Sequence, residues 1–273
     1  MTKTIAAALS LTVLALAKDP EKPRALEGVG VDEKLGQAID LNLEFVGTDG
    51  YPKALKTYFN QGRPVILNLV YYSCPMLCNL VLNGQTSVLR EIPWTPGKEY
   101  EVVTISIDPT ETWNLAANKK QTVLASFDRP APGWHFLTDH QGNVKKLADQ
   151  VGWRYKYDER TNQYAHSSAI MILTPEGKVS RYLYGIKYKD RDVRMALAEA
   201  SEERIGPMTA EKLLLWCYHY DPQAGTYVVF AENVMKGGGV LTVLAIGIFL
   251  WRMWRGEKWR GERRGHTRPQ MVS

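Results

Sequence analysis

The chain has 273 residues, of which 45% are hydrophobic and 23% charged. That balance excludes a mainly disordered protein and a membrane protein of many spans, and the length suits one large domain or two small ones. The net charge of +5 sits in the tail: from Arg252 onward there are seven bases and two acids, so the preceding 251 residues are neutral and nucleic acid is excluded as their partner.

In chain order, Met1-Thr-Lys3 precedes an apolar run from Ile5 to Ala17, which closes on Ala15-Leu-Ala17 before the polar Lys18-Asp19-Pro20. A basic start, a short apolar run and small residues before a polar break predict a secretory signal peptide over residues 1–17. Residues 18–40 are polar with Pro and Gly, and read as a linker or an early hairpin. A folded domain is expected over residues 41–203. Pro64-Val-Ile-Leu-Asn-Leu-Val-Tyr-Tyr72 is a continuous apolar run bounded by turn signals, as a strand buried on both faces should be. Glu101-Val-Val-Thr-Ile-Ser-Ile107 is a second β-branched run, and residues 76–91 between them can be helical.

Asp108-Pro-Thr-Glu-Thr112 has the composition of a helix start, continued from Trp113 to Phe127. Trp134–Thr138 reads as a short strand and Asn143–Val151 as an amphipathic helix. Ala169–Leu173 and Val179–Tyr184 then form a hairpin through Thr174-Pro-Glu-Gly-Lys178, and helices are expected from Asp190 to Glu202 and from Thr209 to Tyr218. Strands that alternate with helices and end in an antiparallel hairpin predict an α/β fold, a mixed sheet flanked by helices in thioredoxin-like order.

Residues 204–233 are expected to be a helical extension. Beyond Gly237-Gly-Gly239, residues 234–254 hold only two charges, Lys236 and Arg252, near the ends. Long side chains there can reach the interface, Trp251, Trp254 and Trp259 suit its aromatic belt, and the basic residues 255–273 suit a cytoplasmic tail. The C-terminal segment is therefore expected to be a transmembrane helix, with the domain on the periplasmic or outer face of the cytoplasmic membrane.

The segment Tyr71-Tyr-Ser-Cys74-Pro75-Met-Leu-Cys78-Asn79 follows the strongest strand signal and opens a helix. Pro75 suits the first helical position. Cysteines at i and i+4 share one face, and a helix N-terminus favours thiolate over thiol. Such a pair can close a disulfide or bind a soft metal; two thiolates alone do not satisfy a metal, so a third ligand is sought. Of the five histidines, His266 is in the tail, His219 falls in the expected C-terminal helix, His135 lies in an apolar strand as a core residue, and His140 sits in a turn. His166, where a loop enters the strand Ala169–Leu173, is the remaining candidate. Spacing alone leaves a structural role open for it.

Three separated motifs resolve the choice by resemblance. Tyr72-Ser-Cys-Pro-Met-Leu-Cys78, Thr104-Ile-Ser-Ile-Asp-Pro109 and His166, 88 positions after Cys78, resemble the Sco/SenC family over residues 35–200. Its members are thioredoxin-like copper proteins tied to cytochrome c oxidase assembly. The resemblance implies that Cys74, Cys78 and His166 hold one copper ion, Cu(I) or Cu(II), with Cys74 and Cys78 also a redox-active disulfide pair. It implies as partners the copper-site subunit of the oxidase and a thiol reductase or another copper carrier.

Two thiolates and an imidazole are a soft set suited to copper, whereas a closed zinc site would ask for a fourth protein ligand. The spare Cys217, in Trp216-Cys-Tyr218, reads as a packing residue. The sequence departs from many relatives at Met76-Leu77 and Asn79, where they carry Asp-Val and Pro, and at Ala165, where they carry Asp. An acidic neighbour could orient the imidazole, so its absence bears on metal affinity. The function expected is a membrane-anchored copper metallochaperone; the alternative is a thiol-disulfide oxidoreductase that reduces the oxidase cysteines. A peroxiredoxin is disfavoured, because Tyr71-Tyr-Ser-Cys74 lacks the surroundings of a peroxidatic cysteine.

Overall fold

The computed structural model describes residues 28–59, 61–74, 77–201, 218–221, 226–229 and 239–252. They belong to two units, one ending at Ile205 and one beginning at Gly206. The expected signal peptide, Cys217 and the basic tail lie outside the described residues.

The first unit opens with three short strands, β1 (Gly30–Val31), β2 (Glu44–Val46) and β3 (Pro52–Ala54), and then enters the core at β4 (Val65–Val70). Every residue of β4 is buried, as its unbroken apolar run requires. Helix α1 (Leu77–Glu91) returns the chain to β5 (Glu101–Ser106), and α2 (Trp113–Phe127) carries it to β6 (Trp134–Leu137). Both connections join parallel neighbours, so each is a strand–helix–strand crossover of the usual kind. Then follow α3 (Asn143–Gln150), the antiparallel pair β7 (Trp153–Asp158) and β8 (Gln163–His166), the hairpin β9 (Ala169–Leu173) and β10 (Val179–Tyr184), and α4 (Asp190–Ala200).

The main sheet runs β10-β9-β4-β5-β6, parallel from β4 to β6 and antiparallel across β9 and β10. This is the mixed sheet expected from the sequence. A second sheet, β1-β7-β8, leaves β8 at its edge. The reading of residues 18–40 as a linker is corrected for those described. Val29 and Ile39 are buried, β1 pairs with β7, and the Ile39 N–H donates to the Gly177 carbonyl at 3.0 Å. Their apolar side chains and paired backbone make residues 29–39 part of the domain.

Gly84 shows how closely α1 packs: a Cβ added there would meet the Ile186 carbonyl oxygen at 2.0 Å, so only glycine lets the helix lie against that loop.

In the second unit, β11 (Tyr218–Asp221) pairs antiparallel with β12 (Thr226–Val229). The helix expected to reach Tyr218 and the helical extension are corrected there, and His219 stands in a strand. The β-forming residues of Tyr218-His-Tyr and Thr226-Tyr-Val-Val explain it. Residues 239–252 are helical, and the apolar side chains from Val240 to Trp251 are exposed. Among the described residues no helix is long and apolar enough to cross a membrane. Residues 234–238 and 253–254 of the expected span lie outside the description.

Candidate metal and thiol site

β4 is the central strand, and its C-terminal end delivers Tyr71-Tyr-Ser-Cys74 to the head of α1. The Cys74 N–H donates to the Tyr71 carbonyl at 3.4 Å, closing a tight turn, and Cys74 is only 5% exposed. Cys78 lies in the first turn of α1, as expected, but its side chain is outside the description. Asn79, where many relatives carry proline, has a job of its own. Its Nδ2 donates to the Cys74 carbonyl at 3.0 Å, and its Oδ1 accepts from Lys119 Nζ of α2 at 2.6 Å. The side chain thus ties the cysteine turn to α2.

His166 arrives from the other sheet. It is the last residue of β8 rather than a loop residue, and it is 7% exposed. Its ring packs against Trp153 at 5.3 Å and edge-on to Tyr71 at 6.2 Å between centroids. Nδ1 donates to the Ser167 carbonyl at 3.1 Å, which fixes the tautomer and makes Nε2 the lone-pair nitrogen. The same carbonyl accepts from Trp153 Nε1 at 3.2 Å. A backbone carbonyl therefore does here what an acidic neighbour at position 165 could do elsewhere. Burial draws the His166 imidazole below its usual range, while the Ser167 carbonyl and negative charge on Cys74 pull it back. Cys74 and His166, distant in sequence, are thus electrostatic neighbours. Among the described residues no three His, Cys, Asp or Glu side chains converge.

A further residue was hidden in the sequence. Asp108–Thr112 reads as a helix start, and α2 does begin at Trp113, yet Thr112 makes no side-chain capping bond. Glu111, 4% exposed, instead turns back to the cysteine turn. One carboxylate oxygen accepts from the Ser73 N–H at 2.7 Å and Oγ at 2.6 Å; the other accepts from the Tyr72 N–H at 2.8 Å and Ser106 Oγ at 2.6 Å. Four donors fill the lone-pair sites of a carboxylate. The motif Thr104–Pro109 and the cysteine motif are therefore clamped together by the acid that follows the first of them.

Tyr71 and Tyr72 are buried. The Tyr72 hydroxyl donates to the Leu137 carbonyl at 2.7 Å and accepts its N–H at 3.0 Å. His135 is half-buried, its ring tilted against Tyr58 at 4.5 Å between centroids, with Nε2 3.0 Å from Glu101, and His140 is exposed with Nδ1 donating to the Pro109 carbonyl at 2.8 Å. Neither belongs to the site. Beside the site opens a cleft of about 600 Å³, walled by Tyr71 and Ser73, by Asp108 and Thr110, and by Tyr157 and Thr161–Tyr164 of the β7–β8 tip.

The parallel β4-β5-β6 core, the antiparallel β9–β10 hairpin and a cysteine at the head of the helix after the central strand define a thioredoxin-like protein. The SCO1/SenC family profile matches residues 33–201, and the chain belongs to that family. Similar solved structures include two Aquifex aeolicus VF5 proteins. One, provisionally named for electron transfer, is 25% identical with a TM-score of 0.56 over 63% of this chain and 96% of its own. The other, provisionally named for electron transport, is 23% identical with a TM-score of 0.51 over 61% and 98% and supports the fold alone. No curated protein matches the chain closely enough to count as a relative.

Proposed function

We propose that this protein is a membrane-anchored copper carrier that assists assembly of the copper site of cytochrome c oxidase. The observation that carries the reading is that Cys74 and His166, two nearly buried soft donors from different sheets, both stand against Tyr71. Cys78, one helical turn beyond Cys74, is the third ligand in this reading. A thiolate pair with a neutral imidazole suits copper, and three protein ligands leave a position through which a cargo ion can depart. Membership in the SCO1/SenC family supports the same cargo and the same kind of target.

The anchor is residues 234–254, with 1–17 a signal peptide and the folded domain on the outer face. Its support is the helix at residues 239–252, apolar on all sides and exposed on all sides, a combination unfavourable in water and favourable in lipid. Protease added to spheroplasts should then digest the domain and spare the tail; the reverse pattern contradicts this orientation.

A second reading, a thiol-disulfide oxidoreductase, is favoured by the place of Cys74 at a helix start, where a thiolate is stabilised. His166→Ala separates the two. A carrier needs all three ligands, so cells with this variant should lose cytochrome oxidase activity nearly as fully as cells with Cys74→Ala, with partial rescue by added copper. A reductant needs only the sulfurs, and normal oxidase activity in His166→Ala would establish that reading instead.

A further inference from the structure

Cys74 and His166 are 5% and 7% exposed, so an acceptor's ligand atoms cannot reach them across a flat contact. The approach has to be made by something narrow. The cleft beside them has the right place and size for it, and it shares Tyr71 and Tyr164 with the aromatic surroundings of the site. Tyr71 meets Tyr164 edge-on at 5.6 Å, and Tyr164 meets Tyr157 at 5.0 Å, so an aromatic wall runs from the histidine to the rim, where Tyr157 is 42% exposed.

Two independent features describe the occupant. First, β8 is the outer strand of the β1-β7-β8 sheet, and among the described residues no strand pairs with its outer side. An open edge offers backbone donors and acceptors to an added strand. Gln163 and Tyr164 of that strand line the cleft. Second, the lining consists of tyrosines, hydroxyls and carboxamides, with one carboxylate, Asp108, and no lysine or arginine. Such a surface suits uncharged peptide backbone, as tyrosine- and asparagine-rich binding loops do, and gives an acidic segment nothing to pair with.

We propose that this cleft receives an extended, uncharged, cysteine-bearing segment of the protein partner, laid along the open edge of β8. The inference rests on the copper-carrier reading and names what the acceptor presents to the site. The β7–β8 tip is then the element that selects the partner, while Cys74, Cys78 and His166 hold the cargo. Transfer is ligand exchange: the peptide thiols give up their protons as sulfur–copper bonds to the peptide form, Cys74 and Cys78 take up protons as theirs break, the His166 nitrogen lets go, and no electron changes hands.

The test uses the full chain in detergent, loaded anaerobically with Cu(I). One acceptor is a reduced 12-residue synthetic peptide bearing Cys-x3-Cys flanked by Ser, Thr and Gly; the other is glutathione, too small to need a strand edge. Thr161→Arg and Gln163→Arg place bulk in the cleft at exposed positions. Each should slow transfer to the peptide about tenfold, the loss expected on removing a central interface contact, and leave both copper stoichiometry and the glutathione rate unchanged. A peptide-to-glutathione ratio unchanged in both variants overturns the inference while leaving the carrier reading intact. A wild-type chain that takes up no copper overturns the carrier reading and the inference with it.

Discussion

Glu111→Ala removes the acceptor of four hydrogen bonds at the cysteine turn. The consequences for the donors differ with their burial. Ser73 is exposed and can turn to water, but the Tyr72 N–H, on a residue 3% exposed, would be left without an acceptor, and the buried Ser106 hydroxyl would keep only its long 3.4 Å contact to the Asp108 carbonyl. A buried donor stranded outright costs about 1–3 kcal/mol and a weakened one less, so the pair should cost about 2–4 kcal/mol. For a domain of this size 1 kcal/mol moves Tm by about 2–4 °C, so thermal unfolding followed by circular dichroism should show a fall of about 5–15 °C. Glu111→Gln, which keeps one acceptor oxygen, should fall between the two. A Tm within about 2 °C of wild type for Glu111→Ala would refute the view that this carboxylate holds the cysteine turn.

Other outcomes follow from the same geometry. Gly84→Ala gains helix propensity of about 1 kcal/mol, yet its Cβ would meet the Ile186 carbonyl oxygen at 2.0 Å; net destabilisation in urea unfolding is expected, and stabilisation would refute the close approach. The copper-free protein should lose stability as pH falls below 6.5, because the unfolded chain then protonates its histidine while buried His166, drawn to lower values, resists. His166→Asn should flatten that slope, and an unchanged slope would assign it elsewhere. Asn79→Ala releases the Cys74 carbonyl from α2 and should cost about 1 kcal/mol, measured as a shifted urea midpoint; no shift would show the tie to be idle.

The elements that build the sheet were legible for a physical reason: β4, β5 and β9 are buried throughout, so their sequences are rich in apolar and β-branched residues, as central strands require. The β7–β8 pair was not. Trp153-Arg-Tyr-Lys-Tyr-Asp158 puts aromatic residues against charged ones on a half-exposed sheet, and β8 has only four residues, so neither forms a recognisable core run. His166 could therefore be singled out by resemblance yet be placed in a loop instead of at a strand end. Glu111 was illegible because an acid after Asp-Pro-Thr has an ordinary use at a helix start; only the tertiary fold shows that its partners are Tyr72, Ser73 and Ser106. The 218–229 hairpin shows the opposite failure, an apolar aromatic stretch read at the wrong period.

The most direct measurement of the central claim is copper bound per chain, with the copper absorption-edge spectrum, for the anaerobically reduced full-length protein and its single-site variants. The account predicts about one ion held by sulfur and imidazole donors, with binding strongly weakened in Cys74→Ala, Cys78→Ala and His166→Ala and unaffected in Cys217→Ala. Retention of copper with an unchanged spectrum in His166→Ala would contradict it.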